Sequence, residues 1–176
     1  FDEDKKEYLT KLYKPDNSKK GEVDKEIVSL IDRINSLPDY YTTSSCAGRI
    51  MIIIIKNPKR KDTSKWLFVS HKKISFDDLP LKKLPKATVW FRQESMILHT
   101  ACKSVESAQQ IVDKAKFCGF KRSGIMATKK RVIVEIASTE KIDTPISKSE
   151  KLMVSKSYLR YLVSEANRKM DINKKK

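Results

Sequence analysis

The sequence predicts an α+β fold, a single domain over residues 1–176 built around one mixed β-sheet flanked by helices. A chain of 176 residues is long enough for one domain with a buried core. Its apolar patterns run in the order helices, strands, helix, strands, helix, without the regular strand–helix alternation of a doubly wound sheet. Its four glycines never fall close together, so the glycine-rich loops of Rossmann and P-loop sites are missing. We therefore expect a fold that is not of the Rossmann type.

The N-terminal part of the chain is predicted to be helical. Residues 1–20 form a charged helix followed by a loop that is rich in turn residues. Apolar residues then recur at helical spacing from Val23 to Leu37, and Pro38 follows the last of them. Asp24 stands at the start of this second helix. We expect it to cap the helix, because aspartate is a favoured N-cap residue, and a functional role for its carboxylate is the alternative.

Strand patterns fill most of the remaining chain. Ser104 is placed to cap a helix that ends at Gly119, and a final helix around residues 158–166 precedes a lysine tail at 171–176. Residues 138–150 are expected to form a loop. The predicted strands are residues 40–43, 50–55, 65–70, 87–93, 96–101, 121–128 and 131–136.

The charge of the chain favours a polyanionic partner. Lysine and arginine number 38 against 22 acidic residues, which gives a formal net charge of +16. Nucleic acid is the first candidate partner, and a lysine-rich surface without such a partner is the alternative. The three cysteines are widely spaced, so neither a disulfide framework nor a zinc site is expected, and a reducing cytoplasm suits them. No apolar run approaches the roughly 18 residues of a membrane span, so no membrane partner is expected.

The segment "SSCAGR", residues 44–49, is the best candidate for a ligand-binding loop. Gly48 can adopt a positive φ, the loop amides can form an anion-binding nest, and Arg49 offers a bidentate guanidinium. A plain glycine turn over a buried thiol is the alternative. We expect Ser44, Ser45 and Arg49 to contact a ligand, and we expect Cys46 to be a packed thiol rather than a nucleophile.

Two histidines and one isolated glycine are further candidates. His71 follows a predicted strand, whereas His99 lies within one and shares a face with Ile97 and Ala101. Either histidine could be functional or simply packed, and two histidines without a nearby carboxylate do not predict a metal site. Ser123 and Gly124 lie in a strand-like segment, where a glycine marks either a bulge or the close approach of another group.

Several ordered segments together resemble the tRNA wybutosine-synthesising protein 3 family in its single-domain archaeal form. They are "GEVDKEIVSLIDRIN", "YTTSSCAGRI", "KWLFVSH", "MILHTACKSVESAQQIVDKAKFCGFKRSGI" and "YLRYLVSEANRKM". The resemblance implies a cytoplasmic, S-adenosylmethionine-dependent methyltransferase without a Rossmann fold. Its substrate would be N4 of the 4-demethylwyosine-type tricyclic base next to the anticodon of phenylalanine tRNA. Two departures are that Ala47 stands where the family usually has serine, and that "ESM" at residues 94–96 replaces a Glu-Pro-Phe pattern.

The resemblance also implies roles for individual residues. The cofactor and base pocket would be formed by residues of two segments, Ser44, Ser45, Cys46, Gly48 and Arg49 with Ser123 and Gly124. We expect Arg49 to bind the methionine carboxylate of the cofactor or a tRNA phosphate. His71, ahead of His99, is expected to accept the proton or orient the base. An aromatic ring, that of Trp66, Trp90 or Tyr41, could stack on the tricyclic base, although the two tryptophans could equally be part of the core.

A basic segment between two predicted strands is the expected tRNA contact. In "KNPKRK" we expect Lys59, Arg60 and Lys61 to contact phosphates of the anticodon stem-loop, and the alternative is a solvated loop that only aids solubility. No metal and no obligate protein partner are expected. Two other functions stay open: a non-catalytic tRNA- or RNA-binding module using the same basic surface, and a thiol enzyme using Cys46. The second is disfavoured because no spacing places a histidine and an acid around that cysteine.

Overall fold

The computed structural model describes residues 1–12, 23–55 and 64–175. Helices α1 (Asp2–Leu12) and α2 (Val28–Ser36) come first, with a 3₁₀ turn at Lys25–Ile27 leading into α2. Helix α3 (Val105–Phe117) lies in the middle of the chain, and α4 (Lys156–Lys175) lies at its end. The strands are β1 (Tyr40–Cys46), β2 (Arg49–Ile55), β3 (Ser64–Ser70), β4 (Val89–Glu94), β5 (Ile97–Cys102), β6 (Gly124–Ala127), β7 (Val132–Ala137), β8 (Ile142–Lys148) and β9 (Lys151–Leu152).

The chain forms two compact units, each with its own sheet. Among the described residues, the first unit comprises 1–12, 23–47 and 96–139, and the second comprises 48–55, 64–95 and 140–175. The first holds a four-stranded sheet in the order β1-β5-β7-β6, and the second holds a five-stranded sheet in the order β3-β2-β4-β8-β9. Neighbouring strands are antiparallel in both sheets. The α+β class and the absence of a Rossmann fold are thus confirmed, but the single mixed sheet is replaced by two antiparallel ones.

In the first unit, helices α2 and α3 cover one face of the sheet. Their apolar side chains pack with Leu98 of β5 and Val134 of β7 in one buried cluster. Ser104 caps α3 as expected, since its hydroxyl accepts a hydrogen bond from the Ser107 amide at 3.2 Å. Helix α1 lies against the opposite face, where the rings of Phe1 and Tyr8 each stand 5.2 Å from that of Tyr41. The sheet is therefore covered by helices on one face and only partly covered on the other.

In the second unit, helix α4 covers one face of the sheet. Its buried side chains, among them Leu159, Val163 and Met170, pack against alternate residues of β2 and β4 and against Ile146 of β8. Arg49, at the start of β2, lies directly opposite Glu94 of β4. No helix in the described parts of the chain is both long enough and apolar enough to cross a membrane.

Three local expectations are corrected by the structure. Residues 142–148, which were expected to be part of a loop, form β8. Pro145 is tolerated in this strand because β9 pairs only with Ser147 and Lys148, so among the residues that the structure describes Pro145 has no neighbouring strand on that side. Helix α4 continues to Lys175, so most of the expected lysine tail at 171–176 is helical, and Asn173 is buried within it. Asp24 makes no side-chain cap on the 3₁₀ turn that follows it. Its carboxylate instead accepts a hydrogen bond from the Ala47 amide at 2.7 Å.

Candidate active site

Three polar side chains form a hydrogen-bonded chain across the first sheet. Ser44 of β1 lies opposite His99 of β5, and His99 lies opposite Glu135 of β7. The Ser44 Oγ is 2.7 Å from His99 Nδ1, and His99 Nε2 is 3.1 Å from Glu135 Oε2. We call these three residues the Ser44–His99–Glu135 relay. All three belong to the first unit.

A β-bulge brings Ser44 onto the same face as His99. The register of β1 against β5 pairs Thr42 with Thr100 and Ser44 with His99, so Thr43 is the extra residue. Without the bulge, strict alternation would place Ser44 on the same face as Thr42, whose side chain is buried against the helices. The bulge re-aims one hydroxyl, and this creates the relay.

The relay has the connectivity of a serine–histidine–acid arrangement. An ionised carboxylate only accepts hydrogen bonds, so the ring proton of a neutral His99 is carried by Nε2 and donated to Glu135. Nδ1 is then left as the acceptor of the Ser44 hydroxyl proton. The His99 and Glu135 side chains are 31% and 23% exposed, so the relay is open to a ligand. Such an arrangement can take a proton from a bound group through the serine oxygen.

A cavity of about 1190 Å³ opens in front of His99, entirely within the first unit. Thr43, His99 and Ile133 contribute to it from the sheet, and Asp4 and Tyr8 contribute from helix α1. The remaining lining comes from residues 126–131, which form the end of β6 and the turn that leads to β7. The candidate proton acceptor therefore lies at the wall of a large open cavity.

The segment 44–49 is less of a loop than the sequence suggests. Ser44, Ser45 and Cys46 belong to β1 and Arg49 begins β2, so only Ala47 and Gly48 lie between strands. Gly48 has φ 103°, a left-handed conformation that favours glycine, as expected. The Ala47 amide donates to Asp24 and not to a ligand, so it does not contribute to an anion-binding nest. Cys46 is half-buried and is not part of a disulfide.

Arg49 and Trp66 lie together on the second sheet. The Arg49 Nε donates to Glu94 Oε2 at 2.8 Å, and the guanidinium carbon stands 5.0 Å from the centre of the Trp66 ring. Trp66 is 51% exposed, so it is not a core residue and its ring is available to stack on a flat ligand. Within this chain Arg49 pairs with the carboxylate of Glu94, and its expected contact with the cofactor carboxylate or a tRNA phosphate stays a prediction.

The other predicted site residues are not members of the relay, and three of them lie outside the described residues. His71 follows β3 in the second unit and is exposed. Ser123 is buried, and its hydroxyl donates to the Phe120 carbonyl at 2.7 Å. Gly124 lies opposite Glu135, and a Cβ built there would meet nothing within 4 Å beyond its chain neighbours. Lys59, Arg60 and Lys61 lie outside the described residues.

Two features of this region were not predicted from the sequence: the role of Glu135, and the hydrogen bond that the Asp24 carboxylate accepts from the Ala47 amide. A signal for Glu135 was present, because it is an acidic residue within the apolar strand "RVIVEIA". A carboxylate in the middle of a strand requires a partner, and the partner here is the ring of His99. No comparable signal was present for Asp24, since an N-terminal aspartate is ordinarily explained by capping.

Comparisons with known proteins agree on one family. The sequence model of the family described as Methyltransferase TYW3 matches residues 3–176. A Methanocaldococcus jannaschii protein named tRNA(Phe) 7-((3-amino-3-carboxypropyl)-4-demethylwyosine(37)-N(4))-methyltransferase is 42% identical over 176 residues, covering 97% of this chain and 89% of the relative. A Pyrococcus furiosus protein with the same name, numbered 1, is 41% identical over 152 residues, covering 85% of this chain and 78% of the relative. The solved structure of the PH1069 protein from Pyrococcus horikoshii has a TM-score of 0.88 at 37% identity, covering 99% of this chain and 91% of that one.

Proposed function

This chain belongs to the methyltransferase TYW3 family, and on that premise we propose that it methylates the tricyclic base next to the anticodon of phenylalanine tRNA. The methyl acceptor is N4 of a 4-demethylwyosine-type base, and the donor is S-adenosylmethionine. The names of the relatives from Methanocaldococcus and Pyrococcus support this substrate, because both state the tRNA, the base and the nitrogen. The proposal implies a cytoplasmic protein whose macromolecular partner is this tRNA.

The observation that carries the proposal is the Ser44–His99–Glu135 relay. S-adenosylmethionine supplies a methyl group that is already activated on a sulfonium, so the protein has to orient the nitrogen and remove its proton. We assign that removal to the relay. The Ser44 oxygen accepts the N4 proton while its own proton passes to His99 Nδ1. Glu135 accepts the hydrogen bond from His99 Nε2 and stabilises the imidazolium that results.

This assignment places His99, and not His71, in the role of proton acceptor. The sequence put His71 first because it follows a strand, where sites gather in many sheet proteins. His99 has two features that favour it: a hydroxyl partner on one ring nitrogen and a carboxylate on the other. These fix one tautomer and one ring orientation, which is what a general base requires.

The second unit holds residues whose chemistry fits the cofactor. Arg49 can bind the methionine carboxylate, and Glu94 holds its guanidinium through Nε. The half-exposed Trp66 can stack on a flat ring system. Ser45, Cys46, Gly48 and the Gly124 backbone remain proposed ligand contacts, whereas the Ser123 hydroxyl is buried and donates to the Phe120 carbonyl. The Lys59, Arg60 and Lys61 segment remains a proposed tRNA contact.

The test is transfer of a labelled methyl group from S-adenosylmethionine to tRNA from a strain that lacks this gene. We expect label in phenylalanine tRNA, and we expect nucleoside analysis to place it on N4 of the tricyclic base. The His99→Asn variant should lose about 10²- to 10⁴-fold in rate, the usual contribution of a general base. Binding of the tRNA without any incorporation of label would favour the non-catalytic RNA-binding module instead.

A further inference from the structure

We propose that the cavity in front of His99 binds the RNA strand that carries the target base, with Lys129 and Lys130 contacting its phosphates. This inference rests on the proposed function and adds a substrate site to it. The cavity belongs to the first unit alone, and the part of it that would hold phosphates is the turn at residues 128–131. We call this turn the β6–β7 turn. The tRNA contact predicted from the sequence lies elsewhere, at residues 59–61.

The charge of the cavity lining favours an anion. Its ionised residues are the cations Lys129, Lys130 and Arg131 against the single carboxylate of Asp4, which leaves a net charge of +2 from three positive and one negative group. Asp4 is already neutralised, because Arg131 Nε donates to its Oδ2 at 2.7 Å. Within the described ranges, neither Lys129 nor Lys130 forms an ion pair. Two lysines are thus left to meet an external anion.

Arg131 has a different task from the two lysines. Its guanidinium donates to Asp4, donates to the Tyr8 hydroxyl at 3.2 Å, and stands 5.3 Å from the centre of the Tyr8 ring. The hydrogen bond to Asp4 raises the pKa of Arg131 and lowers that of Asp4. Arg131 therefore ties helix α1 to the β6–β7 turn, and these are two walls of the cavity.

The cavity also offers apolar surface beside its cations. Met126 is 63% exposed at the end of β6, and Ile133 and the Tyr8 ring line the same space. A large exposed methionine is a polarisable surface that suits a flat aromatic group. Above Gly124 the space is open on the face shared with Glu135, so a base lying there could approach the relay closely. An apolar plane joined to phosphates is the chemistry of a nucleotide.

Charge and size separate RNA from the other ligand of the proposed reaction. S-adenosylmethionine carries one carboxylate against an ammonium and a sulfonium, so its net charge is positive and a positive lining repels it. Pockets for small ligands typically measure about 300–1,000 Å³. The cavity of about 1190 Å³ exceeds that range and is open to solvent, which suits a strand of several nucleotides rather than one enclosed small molecule.

The test compares two double variants that remove the same charge. Lys129→Ala with Lys130→Ala alters the β6–β7 turn, and Lys114→Ala with Lys116→Ala alters the exposed side of α3, on the opposite face of the sheet. The probe is an unmodified phenylalanine tRNA transcript, whose Kd is measured over a range of salt concentrations. All four lysines are exposed, so both proteins should fold, and melting curves check that they do.

We expect only the turn variant to bind RNA more weakly. Each lost phosphate contact should make the negative slope of log K against log salt shallower by about 0.7–0.9, which at 0.1 M salt, taken relative to 1 M, is a factor of about 5 to 8 in Kd. The Kd for S-adenosylmethionine should stay at its wild-type value. An equal loss in the α3 variant would overturn the proposal, since it would mean a diffuse electrostatic effect. A loss of cofactor binding with RNA binding retained would overturn it too, by making the cavity the cofactor site.

The outcomes also separate this inference from the proposed function. If wild-type protein methylates tRNA and the turn variant binds RNA with an unchanged salt slope, the cavity proposal fails and the proposed function stands. If the turn variant binds more weakly as expected but wild-type protein transfers no methyl group, the cavity is an RNA site of a non-catalytic binder. Wild-type protein that neither binds the transcript nor methylates tRNA from the strain lacking this gene would end both proposals.

Discussion

Replacing Glu135 by glutamine should slow methyl transfer without weakening tRNA binding. Glutamine keeps the size of the side chain, and its amide oxygen can still accept the hydrogen bond from His99 Nε2. What it removes is the negative charge that stabilises a protonated His99. Glu135 acts through His99 and lies outside the residues that line the cavity, so it is a positioning residue whose loss should appear in kcat.

The size of the effect follows from the geometry of the pair. A hydrogen bond to a charged group is worth about 1.5–3 kcal/mol, which corresponds to about 10- to 160-fold in rate. The two side chains are 31% and 23% exposed, so water screens their interaction and the lower half of that range applies, about 10- to 40-fold. Glu135→Ala should lose at least as much, because it also frees the ring to rotate.

The assay is single-turnover methyl transfer with saturating cofactor, beside a tRNA Kd measured separately. Glu106→Gln on helix α3 is the matched control, since it removes the same charge on the opposite face of the first sheet. We expect the control to retain the wild-type rate. Wild-type kcat in Glu135→Gln, or a loss confined to tRNA affinity, would refute the role given to Glu135.

Three further predictions concern neighbouring residues. Gly124→Ala should have a free energy of unfolding equal to that of wild type or about 0.4–1 kcal/mol higher, because the added Cβ has no atom of the described residues within 4 Å beyond its chain neighbours. If the substrate approaches Gly124, the variant should nevertheless methylate more slowly. Thermal unfolding and the transfer assay check the two expectations, and unchanged activity would argue against an approach of the substrate at Gly124. Arg49→Ala should weaken S-adenosylmethionine binding, as measured by calorimetry. It should change the free energy of unfolding by only about 0–1 kcal/mol, because the ion pair of Arg49 with Glu94 is partly exposed. Wild-type affinity for the cofactor would remove Arg49 from the cofactor site. The Arg131 hydrogen bond lowers the pKa of Asp4 below its ordinary 3.8, so the stability that this pair contributes is present above pH 3.8 and is lost as the pH falls through the lower folded-state pKa. The difference in unfolding free energy between wild type and Asp4→Asn should therefore be constant at about pH 5 to 7 and shrink below pH 3.8. A difference that does not depend on pH would contradict the assignment.

The fold class was predictable from the sequence because it depends on local patterns. Periodicity located three of the four helices well, and Ser104 and Gly119 marked the two ends of α3. The partition into two sheets was not predictable in the same way. Alternation tells which residues share a face but not which strand lies alongside, and β4 and β5 are adjacent in sequence yet belong to different sheets. Whether residues 1–176 unfold as one domain remains a prediction.

The relay was only partly predictable, and the reason is one extra residue in β1. His99 and Ser44 were both candidates, but regular alternation gives no reason to join them. The bulge at Thr43 shifts the register of β1 against β5, and only then does the Ser44 hydroxyl face the imidazole. A bulge of this kind depends on strand pairing across the sheet, which single-sequence patterns do not contain. The Asp24 contact with Ala47 depends on tertiary packing for the same reason.

The most direct measurement of the central claim is a double-mutant cycle on single-turnover methyl transfer, using Ser44→Ala, His99→Asn and the two combined. If the serine and the histidine move one proton together, each single variant loses most of the rate and the combined variant loses little more, because residues that act as a unit are not additive. The tRNA Kd should be unchanged in all three proteins. Rate losses that multiply independently, or a wild-type rate in His99→Asn, would contradict the relay as the route of the proton.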